Sequence, residues 1–282
     1  MSATGQAVAI TYTPPTTTGG ALPVTTGCFP ASGSAFPVGA TSLLCTVTDA
    51  KQRTAQCRFN VTVTQPPPPP PRISVTRFMA FGDSITEGLF SFFIQSPPGS
   101  YPFLLEATLK ARYTAQTGAI VVMDEGYGGE KIPDGLARFG STINLDAPVG
   151  AVLLIEGVND LNAASVIGSA SDAIPTVVDG LKAMIREARG RGIPVFVATL
   201  LPQRAGGPKA GSVSAIAPTN EQIRGMAAEQ GAILVDLYQA FGGVPDPWIG
   251  PDGLHPSRVG LEKIAQTFFD AIKARFETNP GS

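Results

Sequence analysis

Three side chains in two separate segments could together carry out nucleophilic chemistry. Ser84 ends an apolar stretch, and Asp252 precedes His255 by three positions. A serine hydroxyl is a weak nucleophile until a neighbouring base takes its proton. His255 is the only histidine in the chain, so it is the only available imidazole. An aspartate at this spacing can accept the imidazole Nδ1–H and turn Nε2 outward as a base. Acyl transfer requires this combination of groups.

Each of these residues also has a structural explanation. A serine at the end of a strand can instead cap the helix that follows, and its own segment does not decide between the two roles. A lone histidine is more often structural than catalytic. The chemical interpretation therefore depends on whether the fold brings Ser84 and His255 to one edge of one sheet.

Two further loops offer hydrogen-bond donors for a developing oxyanion. The glycine-rich segment from Glu125 to Glu130 can bring a backbone N–H close to a substrate. It lacks the G-x-G-x-x-G spacing of a dinucleotide site, and no acidic ribose partner is evident. Asn159 can aim its side-chain amide at the same point, or it can cap a helix that begins near Leu161.

From Arg72 onward, buried strands alternate with amphipathic helices, which predicts a doubly wound, three-layer α/β domain with a five-stranded parallel sheet. The carboxyl ends of parallel strands share one edge, so the loops described above should meet there. The predicted strands are 73–81, 119–123, 149–155, 193–200 and 233–237, and the predicted helices are 101–113, 171–189, 219–230 and a last helix with Pro256 in its first turn and its end near Phe276.

Residues 1–65 have a different pattern. Short runs rich in valine and threonine at 8–12, 21–26, 42–49 and 54–64 are separated by turn residues, which predicts an all-β sandwich. Cys28, Cys45 and Cys57 all lie here, as is typical of a small disulfide-stabilised module; three buried free thiols are the alternative. The proline run at 66–71 predicts a stiff polyproline linker, unless it packs as a surface loop.

The composition excludes several classes of partner. A net charge of −2 and a pI near 5.5 give no electrostatic basis for binding nucleic acid. No apolar run is long enough to predict a membrane span. The first residues lack the basic and apolar regions of a signal peptide.

In order along the chain, four blocks resemble the SGNH (GDSL-like) hydrolase family over about residues 76–275. The blocks are Gly82-Asp83-Ser84-Ile85-Thr86, the Gly129 loop, Gly157-Val158-Asn159-Asp160 and Asp252-Gly253-Leu254-His255-Pro256. The resemblance implies a flavodoxin-like αβα domain with Ser84 as nucleophile, His255 as base and Asp252 as orienting acid. It also implies an oxyanion hole formed by the N–H groups of Ser84 and Gly129 and by the Asn159 side chain. Family members often have asparagine near the position of Asp124. No G-x-S-x-G is present, which excludes the nucleophile elbow of α/β-hydrolases.

The first segment resembles the hyalin-repeat (HYR) module, an immunoglobulin-like sandwich, at residues 28–39, 44–50 and 57–63. The resemblance implies an extracellular adhesion or spacer role. Members often carry a further cysteine near the N-terminus, which is missing here. The expected pairing is therefore Cys28 with Cys45, with Cys57 unpaired.

We therefore predict a secreted serine esterase that forms an acyl-enzyme and needs no cofactor or metal. The expected domains are a sandwich at 1–65, a linker at 66–71 and a catalytic domain at 72–282. The expected substrate is a small ester with a short acyl chain. Alternatives are acetylated polysaccharide, a lysophospholipid or thioester, or an adhesion protein whose α/β domain only binds. The apolar segment 90–98 either lines the substrate pocket or packs on the core.

Overall fold

The computed structural model of the chain describes residues 1–2, 5–67, 69–90, 94–95 and 99–278. It divides into two compact units, Met1–Pro69 and Pro70–Ser282. Within the described ranges, no helix has the length and apolar character needed to cross a membrane.

Among the described residues of the first unit, β-strands are the only regular secondary structure. Its strands are β1 (Val8–Ala9), β2 (Thr25–Phe29), β3 (Ala35–Phe36), β4 (Gly39–Thr48) and β5 (Thr54–Val63). Strands β2, β4 and β5 form an antiparallel sheet, and β1 pairs with β3. The core is small, with Phe36, Leu43 and Val63 at its centre. A core of this size gives limited stability, which a cross-link can supplement.

Cys28 and Cys45 lie opposite each other on β2 and β4 and form a disulfide. Cys57 lies opposite Cys45 on the other neighbouring strand and is an exposed free thiol. The predicted cysteine pairing is therefore confirmed, and the alternative of three buried free thiols is wrong.

The second unit alternates strands with helices. Its elements are β6 (Arg72–Ile73), β7 (Arg77–Gly82), α1 (Ser84–Glu87), β8 (Leu89–Phe90), β9 (Ile94–Gln95), α2 (Tyr101–Arg112), β10 (Val121–Gly126), α3 (Ile132–Leu145), β11 (Ala151–Ile155), α4 (Val158–Ile167), α5 (Ile174–Gly190), β12 (Val195–Ala198), α6 (Val213–Gln230), β13 (Ile233–Val235), α7 (Leu237–Ala240), α8 (Arg258–Phe276) and β14 (Glu277–Thr278), with short 3-10 turns at Thr114–Gln116 and Ala170–Ala173.

A five-stranded parallel sheet in the order β10-β7-β11-β12-β13 forms the centre of this unit. Every residue of β11 and β12 is buried, as expected for parallel strands covered on both faces. Helix α2 packs on α8, whereas α3 and α6 both pack on α5. The predicted three-layer αβα architecture is confirmed.

Several predicted boundaries are wrong for identifiable reasons. The first strand of the parallel sheet begins at Arg77 and not at Ile73. Arg72–Ile73 forms a separate short strand that pairs antiparallel with Glu277–Thr278, near the C-terminal end of the chain. Pro256 precedes the last helix, which is capped instead by the Ser257 side chain. Helix α6 begins at Val213 and accommodates Pro218, so it starts earlier than its pattern indicated.

Candidate active site

Ser84 is the first residue of the short helix α1, directly after β7, an interior strand of the parallel sheet. The N-cap is Asp83, whose carboxylate accepts the backbone N–H of Ile85 at 2.9 Å. The alternative in which Ser84 itself caps the helix is therefore wrong. The serine is only 3% exposed, and its hydroxyl is left available for contacts from another part of the chain.

The hydroxyl of Ser84 meets His255, which lies 171 positions further along the chain. Ser84 Oγ is 2.9 Å from His255 Nε2, and His255 Nδ1 is 2.5 Å from Asp252 Oδ2. All three side chains are buried. Hydrogen bonding at Nδ1 fixes the tautomer that leaves Nε2 facing the serine. The structure thus brings together the three residues singled out in the sequence.

Asp252 is held as a carboxylate by its surroundings. Burial alone would raise its pKa, but the hydrogen bond from His255 and two backbone N–H groups outweigh burial and lower it. Its Oδ1 accepts the N–H of Leu254 at 3.1 Å and the N–H of His255 at 3.0 Å. These contacts leave Oδ2 fixed toward the imidazole.

The two donor-bearing loops follow the strands on either side of β7. Gly129 lies after β10 with a φ of +80°, which glycine adopts without strain. Asn159 lies in the first turn of α4, after β11, and Gly157 is the N-cap, so the capping role considered for Asn159 is wrong. The backbone N–H groups of Ser84 and Gly129 have no acceptor within the described part of the chain.

Asp124, where the resemblance implied a departure from the family pattern, supports the glycine loop. Its carboxylate accepts the N–H of Gly126 at 3.2 Å. Burial raises the pKa of Asp124, and hydrogen bonds from Ser100 and Gly126 oppose this shift. Asp124 therefore stabilises the loop and is not one of the residues that line the pocket.

A group of buried acidic side chains lies behind the site, and the sequence did not reveal it. Burial raises the pKa of Asp83 to about 7, with a further contribution from the charges of Glu130 and Asp160, while the N–H of Ile85 opposes the shift. Burial also raises the pKa of Glu156 well above its usual value, with the charge of Asp83 next in importance. No spacing in the sequence marks these four acids as neighbours.

Glu130 is neutralised by Arg138, another residue without a sequence signal. The guanidinium donates to both carboxylate oxygens of Glu130, at 2.6 and 2.7 Å, and to the backbone carbonyl of Glu125 at 2.8 Å. It also lies 3.9 Å from the centre of the Phe81 ring. Arg138 therefore connects the loop after β10 to helix α3 and to strand β7.

Ser84 and His255 open onto a pocket of about 410 Å³. Its lining residues come from the loops at the carboxyl ends of the strands, from one face of α4 and from the loop before α6. They are Ser84, Gly129, Asn159, Asn162, Ala163, Ser165, Val166, Pro208, Lys209, Gly211, Leu254 and His255. Five residues were predicted for the site, and four of them line the pocket: Ser84, Gly129, Asn159 and His255. The fifth, Asp252, contacts His255. Positions 91–93 and 96–98 of the apolar segment lie outside the described residues.

The described residues contain no group of three or more histidine, cysteine, aspartate or glutamate side chains arranged to hold a metal ion.

Comparisons with known proteins identify a family for each of the two parts of the chain. The profile of the GDSL-like Lipase/Acylhydrolase family matches residues 80–263, and that of the HYR domain matches residues 4–63. No curated protein matches the chain.

Similar solved structures include a lipase/acylhydrolase from Enterococcus faecalis, with 25% identity and a TM-score of 0.59 over 73% of this chain and 100% of that one. An acetyl xylan esterase has 24% identity and a TM-score of 0.56 over 69% of this chain and 98% of its own. An aryl esterase of M. smegmatis has 17% identity and a TM-score of 0.56 over 71% and 99%. The family match spans more than half of the chain, which therefore belongs to the GDSL-like lipase/acylhydrolase family.

Proposed function

We propose that the chain is a serine esterase that hydrolyses carboxylic esters through an acyl-enzyme. Ser84 Oγ attacks the ester carbonyl while His255 Nε2 takes its proton, and Asp252 stabilises the resulting imidazolium. Collapse of the tetrahedral intermediate breaks the bond to the alcohol oxygen, which receives the proton from His255. A water molecule, activated by His255, then attacks the acyl-enzyme and releases the acid and free Ser84.

The negative charge that develops on the carbonyl oxygen needs fixed donors. We assign this role to the N–H groups of Ser84 and Gly129 and to the side-chain amide of Asn159. Both backbone groups lack acceptors among the described residues, and all three residues line the pocket. Donors already in position do not have to reorganise when the charge forms, which is why they accelerate the reaction.

One observation supports this proposal more than any other. The contacts Ser84 Oγ–His255 Nε2 and His255 Nδ1–Asp252 Oδ2 are continuous, at 2.9 and 2.5 Å, and they end at a pocket open to a substrate. A binding protein would have no need for a serine hydroxyl hydrogen-bonded to a histidine whose tautomer is fixed by a buried carboxylate.

The test compares wild type with Ser84→Ala on p-nitrophenyl acetate. Loss of the hydroxyl removes the acyl-enzyme pathway, so kcat should fall by about 10³-fold or more. Ser141→Ala, on the exposed side of α3, is the matched control and should behave as wild type. Equal turnover by wild type and Ser84→Ala would favour the adhesion alternative and reject the esterase.

Short acyl chains and acetylated polysaccharide are the substrates that we favour. Asn162 and Ser165 add polar side chains to the pocket wall, where a sugar alcohol could form hydrogen bonds. A series of p-nitrophenyl esters, run beside acetylated xylan, separates the possibilities. Activity that falls steeply beyond butyrate, with release of acetate from xylan, supports an O-acetylesterase. Activity that rises toward long chains supports a lysophospholipase or thioesterase instead.

We also propose that the protein is secreted. HYR domains are typical of extracellular proteins, and the Cys28–Cys45 disulfide fits an oxidising compartment. Detection of the protein in culture medium and not in the cell fraction of the source organism would support this; retention in the cytosol would reject it.

A further inference from the structure

The pocket beside Ser84 has one basic side chain, that of Lys209, among the residues that line it. The other lining residues outside the Ser84–His255 pair are small, apolar or neutral polar residues. Lys209 is exposed, and its ammonium group has no ion pair or hydrogen bond to any residue in the described ranges. By contrast, Arg204 in the same loop pairs with Asp246 at 2.7 Å. The positive charge of Lys209 is therefore left uncompensated at the pocket.

The backbone of Lys209 is fixed to the catalytic loop. Its N–H donates to the carbonyl of Asp252 at 2.9 Å, and Arg204 N–H donates to the carbonyl of Gly253 at the same distance. Gly207 lies so close that a Cβ there would come within 2.6 Å of the Asp252 carbonyl oxygen. The lysine therefore has a backbone position set by the loop that carries Asp252 and His255.

This attachment also indicates which part of an ester faces the lysine. In the proposed mechanism, His255 gives its proton to the leaving alcohol oxygen, so the alcohol lies on the histidine side of the pocket. The oxyanion donors Gly129 and Asn159 belong to other loops, after β10 and β11. Lys209 is anchored to the loop of Asp252 and His255 and lines the same pocket, which favours the alcohol side of the ester as the part that meets its charge.

We propose that Lys209 is a specificity residue that selects esters whose alcohol portion carries a negative charge, such as a carboxylate. The proposal rests on the proposed esterase function. The long lysine side chain can reach different positions of an anion without a fixed geometry, because its ammonium is a point charge with rotatable donors. An acetylated acidic sugar has this chemistry, whereas a neutral ester gains nothing from the charge.

Three acetates that differ only in the charge on the alcohol portion test the idea. They are 4-acetoxybenzoate, which is anionic, 4-acetoxybenzamide, which is neutral, and (4-acetoxyphenyl)trimethylammonium, which is cationic. The measured quantity is the ratio of kcat/KM for the anionic and neutral esters. Comparing that ratio between enzyme variants cancels the intrinsic reactivity of each ester.

The variants are Lys209→Met, Lys209→Glu and Lys209→Arg. Lys209→Met should lower the anionic-to-neutral ratio about fivefold, the upper range for a partly exposed ion pair. Lys209→Glu should lower it further and raise the ratio of cationic to neutral ester, while Lys209→Arg should retain the wild-type preference. Added salt should reduce the wild-type preference, because exposed charges are screened. Lys182→Met, on α5 away from the pocket, changes net charge equally and should leave the ratio unaltered.

An unchanged ratio in Lys209→Met, or an equal loss on all three esters, would overturn the proposal. Both results can be told apart from failure of the proposed esterase function. If the esterase function itself were wrong, wild type and Ser84→Ala would hydrolyse 4-acetoxybenzamide equally, whatever the residue at position 209.

Discussion

The side-chain amide of Asn159 donates to the backbone carbonyl of Glu130 across 2.9 Å. This contact joins the first turn of α4 to the loop after β10, in which Gly129 precedes Glu130. One amide hydrogen is thereby used for positioning. The same nitrogen also donates to Asp83 Oδ2, but at 3.5 Å this hydrogen bond is long and weak, so it is the one that we expect an oxyanion to replace. Asn159 is therefore hydrogen-bonded to the residue that follows Gly129, the donor proposed from the neighbouring loop.

Asn159→Ala should lower kcat on p-nitrophenyl acetate by about 10² to 10³-fold, the usual effect of removing one oxyanion donor. Asn159→Asp should be at least as damaging, because a carboxylate cannot donate and would repel the oxyanion. Stopped-flow or steady-state kinetics measure kcat, and a thermal melt checks that each variant is folded. Near-normal kcat in a folded Asn159→Ala variant would remove Asn159 from the oxyanion hole.

Asp252→Asn should lower kcat by about 10⁴-fold, since an amide at this position favours the wrong imidazole tautomer. The change is nearly isosteric, so substrate binding should be affected far less than kcat. Asp270→Asn, on the exposed surface of α8, is the control for loss of one negative charge. A similar kcat in the two variants would show that Asp252 has no part in orienting His255.

The residues proposed to react could be predicted from the sequence, whereas the residues that pack around them and hold them in place could not. Ser84, Asp252 and His255 could be found because each ends or follows a recognisable element, and because the chain has a single histidine. The four buried acids and Arg138 could not, because their proximity arises from packing between α3, α4 and two strands. Lys209 gave no signal for the same reason. Its loop lies between a strand and a helix that starts earlier than its pattern indicated.

The pH dependence of stability should reveal the unusual state of Asp83. Burial raises its pKa to about 7 in the folded chain, against 3.8 ordinarily. Between these values the folded state retains a proton that the unfolded state has lost, so the stability contributed by this proton falls as pH rises. Asp83→Asn removes the titration while keeping a side chain that can cap α1.

The free energy of unfolding of wild type minus that of Asp83→Asn should therefore be largest near pH 4 and should decrease toward pH 7.5. Urea titrations can follow Trp248, the only tryptophan, whose fluorescence reports on the second unit alone. A difference that grows as pH rises would contradict a raised pKa for Asp83.

Gly253 should tolerate no side chain. It has a φ of +87°, and a Cβ there would lie 2.8 Å from the Arg204 carbonyl oxygen and 2.9 Å from the Gly207 Cα. Gly253→Ala should cost about 1–3 kcal/mol of stability and reduce kcat, because it displaces the loop between Asp252 and His255. Gly118→Ala is the matched control, since no atom lies within 4 Å of its Cβ position. Equal behaviour of the two variants in a thermal melt and in kcat would refute the close packing.

The hydrogen bond between Lys209 and Asp252 uses main-chain atoms only. Any residue except proline, which has no N–H, can therefore stand at position 209 and preserve it. Homologous enzymes can thus change the side chain that meets the alcohol without disturbing the residues that cleave the ester. An engineer seeking new substrates can therefore substitute position 209 and keep this main-chain hydrogen bond. Insertions or deletions there would break the attachment and lose activity together with selectivity.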